Sequence, residues 1–219
     1  MQPTYLSIRT YLEAHDVALI AVSKTRPVEA LMELYAAGQR DFAENRVQEM
    51  RDKQAVMPGD IRWHMIGHLQ RNKVKYIAPW IHMIHSVDNL TLLEEIDRQA
   101  AKAGRVIPCL LQMFIATEET KFGLDAEELH ALLRSSTYRD MQHVQVCGLM
   151  GMATNTEDTD QIRREFSQLK QLFTSAKQQY FADAAHFRHI SMGMSSDYRI
   201  AVEEGSTMVR IGSLLFNEA

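Results

Sequence analysis

The sequence predicts an α/β fold, a single (β/α)8 TIM barrel over residues 1–219 with a short helix in front of it. Three observations carry that expectation. Eight short apolar runs alternate with helical patterns along the chain. Most of the runs are apolar throughout rather than strictly alternating, which suits strands buried on both faces. Eight such units fill about this length with little decoration, whereas an open doubly wound sheet usually has fewer strands.

In order, residues 1–16 read as the leading helix, and ALIAVS (18–23) is the first strand. Thr25 is the expected N-cap of the next helix, with Pro27 in its first turn. Val28, Leu31, Met32 and Tyr35 form its apolar face, and Gly38 ends it. RDFAE, RWHMIG and HMIHSV supply strands two to four. Asp88 is expected to open a helix that buries Leu90, Leu93 and Ile96 and stops at Gly104. VIPCLLQMF is the fifth strand, and Asp125 with Glu128 has capping-box spacing ahead of Leu129, Leu132 and Leu133. VQVCGLMGM precedes a long amphipathic helix traced by Ile162, Phe166, Leu169 and Phe173. FRHISMG is the seventh strand, Ser196 is the expected cap of a short helix ending near Gly205, and TMVRIG is the eighth strand.

Composition narrows the function classes. Hydrophobic residues make up 46% and charged residues 24%, which excludes disordered and fibrous chains. A net charge of −4 argues against broad, charge-driven nucleic-acid binding. The longest strongly apolar stretches, such as Val17 to Val22, are too short to span a bilayer, and the first sixteen residues lack signal-peptide character. Cys109 and Cys147 are far apart in apolar runs and read as core residues, so a cytoplasmic, reducing setting is expected.

Functional groups of such a barrel sit at the C-terminal ends of the strands. Lys24 lies there, in AVSKTRP. A lysine desolvated at that place has a lowered pKa and forms imines, while the bland alternative is a lysine that reaches solvent or pairs with a carboxylate. At the far end of the chain, the loops after strands seven and eight suit a phosphate. Ser195 and Ser196 offer hydroxyls and N–H groups, Gly212 and Ser213 expose backbone amides, and Arg210 carries charge to neutralise an anion. Taken singly, these are ordinary helix caps, turns and a core salt bridge. Taken with the lysine on the adjoining first strand, they describe an aldehyde plus a phosphate, and pyridoxal 5′-phosphate carries both.

These residues also carry a resemblance. AVSKT, FAENRVQE, WHMIGHLQRNK, HSVD, TKFG, GLMGM, SMGMSSD and EGSTMVRIGS follow one another between residues 17 and 216. In this the chain resembles the pyridoxal phosphate homeostasis protein family, relatives of the barrel domain of bacterial alanine racemase. The resemblance implies a fold-type III barrel with the cofactor as a Schiff base (imine) on Lys24, Asn45 lining the pocket, and Met192–Ser196 and Arg210–Ser213 around the phosphate. It departs in a shorter N-terminal region, which bears on how the barrel floor is covered, and in Asn217 after Phe216, where the family commonly has glycine.

Other residues compete for attention. His64 and His68 are four apart and His82 and His85 three apart, but no cysteine or carboxylate completes either pair, so no metal site is expected. His64 and His85 are placed instead at the barrel mouth. The basic run Gln70 to Lys75 reads as a solvated helix face. Met150, Met152, Met192 and Met194 read mostly as core, with a few packing around a flat ring.

Racemisation through pyridoxal phosphate needs proton transfer on both faces of a carbon, and the chain offers Lys24 for one face and no second domain for the other. The expected function is therefore cofactor homeostasis: a binding protein that supplies pyridoxal phosphate to apo-enzymes in vitamin B6 metabolism, without robust turnover and as a monomer. A weak amino-acid racemase is the alternative.

Overall fold

A computed structural model describes residues 3–117 and 122–216. Asn217, with Thr120 and Lys121 of the TKFG motif, lies outside the described residues. Helix α1 (Pro3–Glu13) leads into β1 (Ala18–Val22), and the chain then alternates. Helix α2 (Val28–Ala36) precedes β2 (Asp41–Glu44), α3 (Val47–Gln54) precedes β3 (Arg62–Met65), and α4 (Arg71–Val74) precedes β4 (Met83–Val87). Helix α5 (Leu90–Lys102) leads to β5 (Ile107–Gln112), followed by α6 (Ala126–Arg134), α7 (Ser136–Asp140) and β6 (Val144–Met150). Helix α8 (Thr159–Tyr180), β7 (His189–Ser191), α9 (Tyr198–Glu203) and β8 (Met208–Ile211) complete the order.

Every strand pairs in parallel with its neighbours, and β8 pairs with β1 from Ala18 against Met208 to Ala21 against Ile211, so the barrel closes. The alternation of side chains along each strand separates two apolar layers. Phe42, Trp63, Met65, Ile84 and Val209 face outward and join Leu31, Leu93, Leu129, Phe166 and Leu169 of the helices. Ile20, Val22, Ala43, Met83, Leu110, Cys147, Met150 and Met208 fill the inside. Both cysteines are free and buried there or in the outer layer, and burial pushes the Cys147 thiol up to about 11. No described helix is long and apolar enough to cross a membrane.

Local capping follows the sequence in part. Asp125 and Glu128 form a full capping box on α6. Asn89, not Asp88, caps α5 by accepting from the Leu92 N–H. Thr25 does not cap α2, whose N-cap position is Pro27. Asp197, not Ser196, precedes α9, and its carboxylate accepts from the Met194 N–H. The polar α3 carries no apolar signal strong enough to announce it, and α4 is a single turn of the basic run.

The barrel interior also holds a hydrogen-bonded row of polar groups, each in a place where an unpaired one would be costly. Arg210 Nη1 donates to Ser191 Oγ at 2.6 Å, Ser191 Oγ meets His85 Nδ1 at 3.0 Å, and His85 Nε2 meets His64 Nδ1 at 2.9 Å. His64 Nε2 then reaches Asp41 Oδ1 at 3.1 Å. His64 and His85 are thus inside the barrel rather than at its mouth, where the sequence reading put them, because their strand positions alternate inward with Ala43 and Met83.

Burial drives the histidines toward neutrality. It pushes His85 well below its ordinary value and takes His82 and His189 down to about 4. Burial alone would raise Asp41, but hydrogen bonds from His64 and Arg62 hold it well below the usual carboxylate range. An unfolded histidine titrates near 6.5, so between about 4 and 6.5 the unfolded chain binds more protons than the folded one. Stability therefore rises with pH through that window and is complete above it; Asp41 keeps its contribution there and loses it only in stronger acid. The melting temperature is expected to fall as pH drops from 7 to 5, less steeply in His189→Gln. A scan of melting temperature against pH checks this, and a flat profile contradicts it.

Candidate functional site

A cavity of about 530 Å³ opens at the C-terminal ends of the strands. Lys24, Asn45, Ser195, Arg210, Gly212 and Ser213 all line it, so the structure brings together residues from both ends of the chain. Closure of β8 on β1 is what does so. A larger surface groove of about 740 Å³ runs past Arg71, Asn89, Glu95 and Arg98, but it has no lysine or cysteine in its lining and is mostly solvent-exposed.

Lys24 follows β1 directly and is exposed rather than desolvated. The sequence reading took the strand end to be buried; the loop instead carries the residue out over the cavity. Its ammonium makes no hydrogen bond or ion pair with any described residue. The lysine is thus held by the backbone on which it stands. Lys53, buried on α3, donates to the Ser23 carbonyl at 2.6 Å, to Glu44 Oε1 at 2.6 Å and to Glu49 Oε1 at 2.7 Å. Ser23 Oγ also donates to Glu44 Oε1, and Glu49 Oε1 accepts from the Thr25 N–H at 2.6 Å. This clamp grips both sides of Lys24. It holds Thr25 at φ 62°, a left-handed conformation that a threonine adopts at a cost of about 1–3 kcal/mol. Sequence reasoning missed Glu44, Glu49 and Lys53; the i, i+4 spacing of Glu49 and Lys53 is the one local signal.

The opposite wall comes from the loops after β7 and β8. Gly193 lies at φ 95°, and a Cβ there would approach Ala201 Cβ to 2.5 Å, so only glycine lets the loop turn this tightly against α9. Ser195 Oγ accepts from the Gly212 N–H at 3.4 Å and joins the two loops. Because Asp197 takes the N-cap position, the two serines are released from capping. The backbone N–H groups of Ser195, Ser196 and Ser213 find no acceptor among the described residues. Such outward N–H groups make a nest for an anion.

Arg210 lies beneath, held by three hydrogen bonds. Its Nη1 donates to the Ser191 carbonyl and hydroxyl and its Nη2 to the Gly151 carbonyl at 2.9 Å. Burial lowers its pKa to about 10, which leaves it charged at neutral pH. It is a fixed cation at the bottom of the cavity, not an arm free to swing. Met152 and Met194 line the cavity, whereas Met150 and Met192 are core. Gln112, His68 and Phe122 complete the rim and escaped the sequence reading; Gln112 Nε2 donates to the Phe122 carbonyl, and His68 stacks on the Phe122 ring at 4.7 Å.

Glu44 is buried, its Oε2 has no partner, and burial raises its pKa against the pull of Lys53 and Ser23. Removing only the lysine leaves that carboxylate uncompensated, which for a buried pair costs about 3–5 kcal/mol. Lys53→Met is expected to lose stability of that order in urea unfolding, and Glu44→Leu with Lys53→Met to recover most of it. Near-equal stability of wild type and Lys53→Met contradicts the clamp.

The family model for the alanine racemase N-terminal domain matches residues 3–219. The pyridoxal phosphate homeostasis protein of Aquifex aeolicus is 39% identical over 201 residues, 91% of this chain and 86% of its own. PipY of Synechococcus elongatus PCC7942, solved without pyridoxal phosphate, superposes with a TM-score of 0.90 at 39% identity over 98% of each chain. Its structure with pyridoxal phosphate bound gives 0.87 at 38% identity over the same shares. By sequence and by fold, this chain belongs to the pyridoxal phosphate homeostasis protein family, built on the alanine racemase N-terminal barrel.

Proposed function

We propose that this protein binds pyridoxal 5′-phosphate at the barrel mouth and serves its intracellular homeostasis, with Lys24 as the covalent anchor. The observation that carries the reading is the cavity itself. It sets one unpaired lysine against loops whose N–H groups have no protein acceptor. When bound, the group supplies an electrophilic aldehyde and a phosphate dianion. The residues fit both. Lys24 offers the amine, and the clamp of Lys53, Glu44 and Glu49 fixes its backbone. Ser195 and Ser213 would hold the phosphate through hydroxyl and backbone N–H groups, and Gly212, whose N–H is held by Ser195, would let the backbone come close. Asn45 lines the cavity and would hold the ring through its amide. Arg210, held by Ser191 and Gly151, would set a fixed positive charge against the bound group.

The cavity lining also supports a carrier over an enzyme. Among the described residues that line it, Lys24, His68 and Arg210 carry the ionisable side chains, and no tyrosine or carboxylate stands opposite the lysine. His68 is exposed and tied to Asp88 at 3.2 Å, a poor position for the second face of a substrate. His68 is what a weak amino-acid racemase, the second reading, would have to use. The protein acts in the first reading by holding a reactive aldehyde and passing it to apo-enzymes.

Borohydride reduction of the loaded protein is expected to fix the cofactor on Lys24, located by peptide mapping. Lys24→Ala retains weaker, phosphate-driven binding, and Ser195→Ala weakens binding by about 1.5–3 kcal/mol if its hydroxyl carries a charge-assisted bond. Label on another lysine, or equal affinity for pyridoxal and its phosphate, contradicts the site.

The carrier reading is tested by pairing two assays on one preparation. Transfer of cofactor to an apo-enzyme is expected, together with little or no α-deuterium incorporation into single amino acids in deuterated water. Turnover at about 1 s⁻¹ or faster overturns it in favour of the racemase.

A further inference from the structure

The end of the barrel opposite the cavity carries a second cluster. Asp41 opens β2, His64 lies within β3 and His82 stands just before β4, so three neighbouring strands present these side chains at the N-terminal floor. One donor atom from each lies within 4.8 Å of the others. The sequence pairs His64 with His68 and His82 with His85 and finds no carboxylate for either. The fold pairs them differently, across strands, and Asp41 supplies the carboxylate. His64 and His82 meet edge to face at 5.1 Å between ring centroids, and the His82 ring makes no hydrogen bond with any described residue.

We infer that Asp41, His64 and His82 form a binding site for a divalent transition-metal ion of the zinc class, with solvent as the remaining ligand. Two imidazoles and a carboxylate suit such an ion, and three protein ligands leave an open position. At the usual metal–ligand distance of about 2.0–2.1 Å, tetrahedral donors stand about 3.3 Å apart, so the cluster closes by a modest rotation of half-buried His82. Arg62 holds both oxygens of Asp41, Nε on Oδ1 at 2.7 Å and Nη2 on Oδ2. Oδ1 therefore meets the ion through its remaining lone pair, in the direction now taken by His64 Nε2.

The outer shell is in place as well. A metal-ligating histidine donates its second ring N–H to a fixed acceptor. His64 Nδ1 already faces His85 Nε2, and His85 Nδ1 faces Ser191 Oγ, the group that also receives Arg210. Without metal, the arrangement that satisfies every group has donors running one way: Arg210 to Ser191, Ser191 to His85, His85 Nε2–H to His64, and His64 Nε2–H to Asp41. A metal on His64 Nε2 takes the place of that proton. Both rings then carry their proton on Nδ1, so His64 donates to His85 and His85 to Ser191. Two protons change position within the row and none leaves it. The Ser191 hydroxyl loses its acceptor, and the ion at the floor is thereby felt beside Arg210 at the cavity.

Cobalt(II) is the probe, titrated into metal-free protein with its visible ligand-field bands as the readout. One ion per chain is expected, displaced by zinc, with affinity reduced at least about tenfold in His82→Ala. His82→Ala removes only a half-buried ring with no hydrogen bond, so its metal-free melting temperature is expected to match wild type. Asp41→Asn gives a second, independent loss of affinity. In nitrogen-15 spectra of the histidine rings, zinc is expected to move the His85 proton from Nε2 to Nδ1. Absence of saturating one-to-one uptake, or uptake unchanged by His82→Ala, overturns the site. Uptake without a change of the His85 tautomer overturns its link to the cavity.

Discussion

Pairing of β8 with β1 is the contact on which everything else rests. Ala18 to Ala21 lie in register with Met208 to Ile211, and this joins segments about as far apart in sequence as the chain allows. Lys24 belongs to the loop just beyond one strand, and Gly212 and Ser213 to the loop just beyond the other. Without closure there is a lysine at one end of a chain and a few small residues at the other. With closure, they share a cavity. Long-range pairing of this kind carries a large chain-entropy cost before it is rewarded, and the outer layer from Phe42 to Phe166 supplies the compensating burial.

The interior of the barrel is not a uniform apolar plug. Ile20, Met83, Leu110 and Met208 fill part of it, and the row from Arg210 to Asp41 fills the rest. Burying a guanidinium is tolerable because its bonds run to two carbonyls and a hydroxyl, and burying the imidazoles because each ring nitrogen in the row has a partner, with His85 held neutral by burial. The barrel therefore has a cavity at one end and a carboxylate–histidine cluster at the other, joined by a polar axis, an arrangement that a fully aliphatic core would not permit.

Much of the fold was legible in the sequence. All eight strands fall within the apolar runs, because strands buried on both faces announce themselves by unbroken hydrophobicity. Helices with strong apolar faces, such as α5, α6 and α8, were legible for a related reason. Helix α3 was not: it buries Val47, Met50 and Lys53 among polar neighbours, and its lysine is internal only because Glu44 and Glu49 meet it there. The same limit applies to the site. Lys24 and the serine and glycine loops were visible as motifs at strand ends. Their exposure, the withdrawal of Arg210 into the interior and the grouping of Asp41 with two histidines depend on which strands become neighbours. The caps of α2, α5 and α9 shifted by one or two residues, since Ser, Thr, Asp and Asn compete for that role within a few positions.

The clamp beneath Lys24 has a meaning for how such sequences drift. Glu44 and Lys53 each make the other tolerable, and one carboxylate oxygen of Glu44 stays without a partner even so. Neither position changes freely alone: loss of the lysine strands an acid, and loss of the acid leaves the buried cation to Glu49 and the Ser23 carbonyl. The pair forms an epistatic unit. Descent can carry it forward intact or lose it through a coordinated double replacement, and single steps between those states pass through a less stable barrel whose Lys24 loop has lost its footing.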